Sequence, residues 1–182
     1  MQLDRLHNRG LYAWINVGPS IDFSVAADAS KAAMKKLADD HAGHPALLVW
    51  EVPDEALWNV WYGAELWRNR DEPKQQNESI DALEDKAKAD KLRGMRAEVR
   101  KHWSMAEHKQ AEELADKIWR ELGKEPPHPD LNVSNAPARA AKMAAGMLDG
   151  YTYLKEICPT HPVWMNHAPR NSVAQRAAFN KA

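Results

Sequence analysis

Two adjacent carboxylates, Asp54 and Glu55, stand at the end of the apolar run Leu47-Leu48-Val49-Trp50-Glu51-Val52-Pro53. Ionisable groups at the carboxyl end of a buried strand are how α/β folds build active sites, because the strand holds the geometry while the loops vary. Adjacent strand residues point to opposite faces, so Asp54 and Glu55 do not by themselves make a catalytic pair. Glu51, four residues before Glu55, reads as a structural lining residue at least as readily as a functional one. Other strand ends bring further candidates: Trp14 and Asn16 in one segment, and Asn166, His167 and Arg170 in another. Trp58 follows the acids closely. Each strand-end polar residue also has a plainer use, since such groups often cap neighbouring backbone. His167 with Asp54 and Glu55 has the donor types for a metal but lacks recognisable ligand spacing.

The elements that must position these residues are legible from pattern. Leu3, Leu6 and His7 have helical spacing, with Gly10 as a stop. Leu11-Tyr12-Ala13-Trp14-Ile15-Asn16-Val17-Gly18 is rich in aromatic and β-branched residues and reads as a strand. Ile21 to Ala27 reads as irregular. From about Asp28, Ala33, Leu37, Ala38 and His41 mark one face of a helix, ended by Gly43 and Pro45. The strand before Asp54 follows, bounded by prolines. Towards the C-terminus Pro137 suits a first helical turn, and Ala140, Ala144, Met147, Leu148, Tyr151, Leu154 and Ile157 form a long apolar stripe. Val163 to Pro169 reads as a third strand, and Val173, Ala177 and Phe179 as the start of another helix. Between Tyr62 and Asp130 charges of both signs alternate, and apolar spacing predicts helices around Ile80, Leu92 and Leu114. Ser104-x-x-Glu107 is a plausible capping box for the last of these.

The chain has 182 residues and a formal charge of −1. That balance leaves no electrostatic footprint for nucleic acid or an anionic membrane. No apolar run is long enough to span a bilayer, and the first residues lack the layout of a signal peptide. Cys158 is the only cysteine, which excludes an internal disulfide and a cysteine-rich zinc site. Five of the eight tryptophans fall in the first 70 residues. Their faces suit sugar rings, although large aromatics are more often core.

The segment Leu48-Val49-Trp50-Glu51-Val52-Pro53-Asp54-Glu55 resembles the fourth strand of the (β/α)8-barrel glycoside hydrolases of the large retaining clan that includes β-galactosidases, mannanases and cellulases. Gly10 to Gly18 is similar to the third strand of such barrels, His44-Pro45-Ala46-Leu47 to the lead-in to the fourth, and Lys155 to Val163 to the lead-in to the fifth. The resemblance implies an α/β fold: an incomplete TIM-type barrel of about three parallel strands with a helical insertion. On that reading residues 1–61 are βα units of the barrel, 62–130 the insertion, and 131–182 a helix, a strand and the start of the next helix. A closed barrel typically needs about 250 residues, so the chain is expected to be a fragment.

The resemblance implies a retaining O-glycosidase acting in carbohydrate metabolism, with Glu55 as general acid/base and no cofactor or metal. Asp54 stands where the family has Asn, which puts the sugar specificity in question. Trp14, Asn16, Trp58, Asn166, His167 and Arg170 join Asp54 as expected substrate-binding residues around a carbohydrate. The clan's nucleophile is a Glu at the end of the seventh strand, which places it outside this sequence, so the isolated chain is expected to be inactive. A secreted or periplasmic location is compatible with a longer parent. Two other readings stay open. One is a non-catalytic interaction protein built on a barrel remnant, whose helical arm binds a partner or the remainder of the barrel. The other is a metal-dependent barrel enzyme using Asp54, Glu55 and His167.

Overall fold

The computed structural model describes residues 2–166. His167, Arg170 and the helix expected from Val173, Ala177 and Phe179 therefore lie outside the described residues. In chain order the elements are α1 (Gln2–His7), β1 (Ala13–Asn16), a 3₁₀ turn (Gly18–Ile21), α2 (Phe23–His41), β2 (Leu47–Glu51), α3 (Ala56–Leu66), a π-helical stretch (Trp67–Asp71), α4 (Glu72–Asp81), α5 (Lys86–Ser104), α6 (His108–Glu121), α7 (Ala136–Ile157) and β3 (Val163–Trp164). The chain divides into two compact units. One is formed by residues 2–59 with 138–166, and the other by Val60–Pro137.

The expectation of an incomplete (β/α)8 barrel is overturned. Helix accounts for 67% of the structure, and the sheet is three short parallel strands of 4, 5 and 2 residues. A barrel wall needs strands that tilt and stagger around a circuit. A two-residue β3 cannot carry that register. β-branched and aromatic runs mark where strands can start, while strand length is set by ladder partners that sequence does not display.

In the sheet unit the strand order is β1-β2-β3, with Ile15 paired to Trp50 and Trp50 to Val163. Paired residues of a parallel sheet share a face. Ile15, Trp50, Val52 and Val163 meet Met34, Leu37 and Ala38 of α2 and Met147 and Leu154 of α7 in one core. Helix α2 starts earlier than its apolar spacing suggests. The Asp22 carboxylate accepts from the Ser24 N–H at 2.9 Å and caps the helix, and the irregularity is a kink at Ala26 (φ −141°, ψ 64°). Helix α7 lies against the junction of β1 and α2, which Gly146 and Gly150 permit. A Cβ at Gly150 would land on the Ile21 carbonyl oxygen, and one at Gly146 on the Asp22 carboxylate and the Ser24 amide.

The helical unit has its own core of Ile80, Leu92, Val99, Ala111, Ala115 and Ile118 from α4, α5 and α6. The π-helical stretch presents Arg68 to the interior, where its guanidinium donates to Glu72 (2.8 Å), Asp116 (2.7 Å), the Leu131 carbonyl (3.2 Å) and Asn132. Trp119 Nε1 also donates to Glu72, at 2.9 Å. Asp85 caps α5 by accepting from the Lys88 N–H at 3.0 Å. The Ser104 capping box does not form. Ser104 is the last residue of α5, its hydroxyl donates to the Lys101 carbonyl, and Ala106 turns the chain at φ 58° before α6. Among the described residues no helix is long and apolar enough to cross a membrane.

Candidate functional site

The carboxyl end of β2 lies between the ends of β1 and β3, because β2 is the central strand and all three run parallel. Asn16 is paired with Glu51, and Glu51 with Trp164. Trp14, Asn16, Val49, Glu51 and Trp164 therefore share the face opposite the helix-packed core. On that face the Trp14 and Trp164 rings meet at 4.9 Å between centroids, tilted by 53°. They are 50% and 39% exposed. Val49, on the same face, is buried.

Beside this aromatic pair each outer strand supplies an amide to an acid of the central segment. Asn16 Nδ2 donates to Glu51 Oε2 at 3.3 Å. Asn166 Nδ2 donates to Asp54 Oδ1 at 2.6 Å. Asn16 is itself oriented by the loop after β1, since its Oδ1 accepts from the Gly18 N–H at 2.7 Å. Gly18 has φ +63°, a left-handed conformation that glycine adopts without steric cost.

Beyond β2 the chain stays tied to the β3 side. The Val52 N–H donates to the Trp164 carbonyl at 2.9 Å, Pro53 has no N–H to give, and the Glu55 N–H donates to the Asn166 carbonyl at 3.2 Å. That last bond holds Glu55 at φ 47°. A non-glycine residue at positive φ is a strained conformation of the kind found at ligand sites. The Glu55 carbonyl then accepts from the Asn59 N–H at 2.9 Å, so Glu55 is the residue from which α3 starts. Asn59 Nδ2 donates back to the Asp54 carbonyl at 3.1 Å and closes the turn around the two acids.

The structure thus gathers Trp14, Asn16, Asp54, Glu55 and Asn166 at one end of the sheet. Trp58 is buried, 8% exposed, and offers no open ring face. Glu51 joins the group through Asn16, and its side chain lies on the open face. Trp164 was not singled out from sequence, yet a signal was present: Trp14-Ile15-Asn16 and Trp164-Met165-Asn166 repeat the same Trp-x-Asn spacing at the ends of the two outer strands. Chemically the ensemble offers three carboxylates, two amide donors that orient two of them, and a paired indole surface. Among the described residues no group of three or more His, Cys, Asp or Glu side chains is placed to hold a metal ion. No family model, curated protein or solved structure matches this chain.

Proposed function

We propose that this chain carries the acid/base centre of a retaining O-glycoside hydrolase, with Glu55 as the proton donor and acceptor. The observation that supports the reading best is the placement of Glu55. It stands at the carboxyl end of the central parallel strand, at positive φ, stapled to the outer strand through its N–H and the Asn166 carbonyl. A general acid must meet the leaving oxygen at a fixed position, and a residue held by main-chain bonds on two sides meets that need. In the first step Glu55 protonates the glycosidic oxygen as the bond to the anomeric carbon breaks, and in the second it takes a proton from the incoming water. An ionised carboxylate about 5–5.5 Å away performs the attack in such enzymes, and the resemblance assigns that role to neither Glu51 nor Asp54. Asn16 and Asn166 act as positioning residues for those two acids, and the Trp14–Trp164 surface suits the apolar face of a pyranose.

The test uses the full-length polypeptide and a pair of aryl glycosides. Glu55→Gln is expected to slow hydrolysis of a phenyl glycoside by about 10²–10⁴-fold. The loss in kcat/KM, which reads the first step, should be much smaller on a dinitrophenyl glycoside, because its leaving group departs without a proton. Equal losses in kcat/KM on both substrates would remove Glu55 from the acid role.

A further inference from the structure

On the face opposite the helix-packed core the Trp14 and Trp164 rings stay half exposed, with their centres 4.9 Å apart. Glu51 belongs to the same face and is flanked in the ladder by Asn16 on one side and Trp164 on the other. Asn16 Nδ2 holds Glu51 Oε2 at 3.3 Å, which leaves Oε1 for a further donor. An amide is neutral and does not cancel the charge. Among the described residues no Lys or Arg pairs with Glu51, nor with Asp54, whose side-chain donor is the Asn166 amide. Acids elsewhere on the surface are treated differently. Asp39 meets Lys35 at 2.8 Å, Asp40 meets Lys36 at 2.6 Å, Asp71 meets Arg70 at 2.8 Å and Glu121 meets Lys91 at 3.0 Å. With 25 Lys and Arg against 26 Asp and Glu the chain is not short of cations, so their lack here is local.

A carboxylate with no counter-ion beside two open indoles attracts an organic cation. The quadrupole of an indole draws a positive group to the ring face, within about 6 Å of its centre. The Glu51 charge pulls in the same direction. A neutral pyranose gains the stacking alone, whereas an ammonium on the ring adds both attractions. We propose that the Trp14–Trp164 face with Glu51 recognises a protonated amine, which makes the substrate a glycoside of an amino sugar whose amine is free. That a sugar carries the ammonium rests on the glycosidase reading of Glu55. The attraction for a cation rests on Glu51 and the indoles.

The experiment is isothermal titration calorimetry of the full-length protein at about pH 6, where an alkyl amine is charged. The probes are methyl β-glucosaminide and methyl β-glucoside, which differ by the amine. The wild type is expected to bind the glucosaminide about tenfold more tightly. Glu51→Gln keeps an acceptor for Asn16 and removes the charge, so it is expected to bind both probes with the affinity that the wild type shows for the glucoside. Trp14→Ala is expected to weaken both. Absence of wild-type binding, equal affinity of the wild type for the two probes, a preference that survives Glu51→Gln, or undiminished binding by Trp14→Ala overturns the proposal. Tighter binding of N-acetyl-lysine methylamide than of the glucosaminide assigns the ammonium to a lysine side chain and overturns the amino sugar. All of these results leave the leaving-group test of Glu55 standing. The expected preference together with equal losses of Glu55→Gln on the two aryl glycosides supports the ammonium site and overturns the glycosidase reading.

Discussion

Replacing Gly150 by alanine sets two effects against each other. In an open helix interior the change gains about 1 kcal/mol, because glycine loses more backbone freedom on folding. Gly94 in α5 shows that case: it is exposed, nothing lies within 4 Å of an added Cβ, and Gly94→Ala should stabilise the helical unit. At Gly150 the added carbon lands on the Ile21 carbonyl oxygen and lies 2.8 Å from its carbonyl carbon. Both obstacles are backbone, so no side-chain rotation relieves them, and α7 or the β1–α2 junction must move. Overpacking of this kind costs about 1–3 kcal/mol, and a backbone clash belongs at the upper end. After the propensity gain, Gly150→Ala should be destabilising by roughly 2 kcal/mol. For a chain of this size that lowers the melting temperature by roughly 4–8 °C. Urea titrations followed by circular dichroism on both variants measure the contrast directly. If Gly150→Ala proves as stable as Gly94→Ala, α7 does not approach the β1–α2 junction as described.

Two further predictions concern buried groups. Burial pushes the Glu72 carboxyl above its ordinary value of 4.5, against the pull of Arg68 and the hydrogen bond from Trp119. The folded state therefore binds that proton more tightly than the unfolded state. The ionisation penalty is absent below the unfolded value, grows as pH rises from about 4.5, and is complete above the folded value. The stability of Glu72→Gln relative to wild type, measured by urea titration, should accordingly improve as pH rises through that window. A fall over the same range would mean that Arg68 dominates and that the carboxyl is held ionised. Cys158 is buried beneath the sheet, and its thiol is pushed up by that burial. It should react with an aromatic disulfide reagent at pH 8 only slowly in the native protein and promptly in denaturant. Prompt native reaction would place it at the surface.

Much of the local structure was legible in the sequence, and the register was not. Ala13–Asn16 and Leu47–Glu51 fall inside the runs marked by Trp14, Ile15, Val49 and Trp50, because β-branched and aromatic side chains favour a pleated, half-buried surface. The long stripe from Ala140 to Ile157 is likewise the helix α7. The helix expected around Ile80 is α4, while no element was marked over residues 56–71. There Trp58, Trp61 and Trp67 obscure the helical period, and the π-helical turn at Trp67–Asp71 shifts the phase of whatever follows. At the candidate site, position along the strand was enough to single out Asn16 and Asn166. Which acid each amide would hold depends on strand pairing, and nothing local to Asn166 points to Asp54, 112 residues away. Glu51 was set aside as structural for the same reason, since its partner Asn16 comes from a neighbouring strand.

The meeting of Trp14 and Trp164 has an optical consequence. Two indoles whose centres lie 4.9 Å apart at an inclination of 53° couple their electronic transitions, so they absorb as one chiral chromophore. The two rings belong to strands that do not hydrogen-bond to each other and that lie far apart in the chain. The resulting exciton band in the circular dichroism spectrum reports closure of the three-stranded sheet, and a ligand that slides between or over the rings would register in that band without any added label.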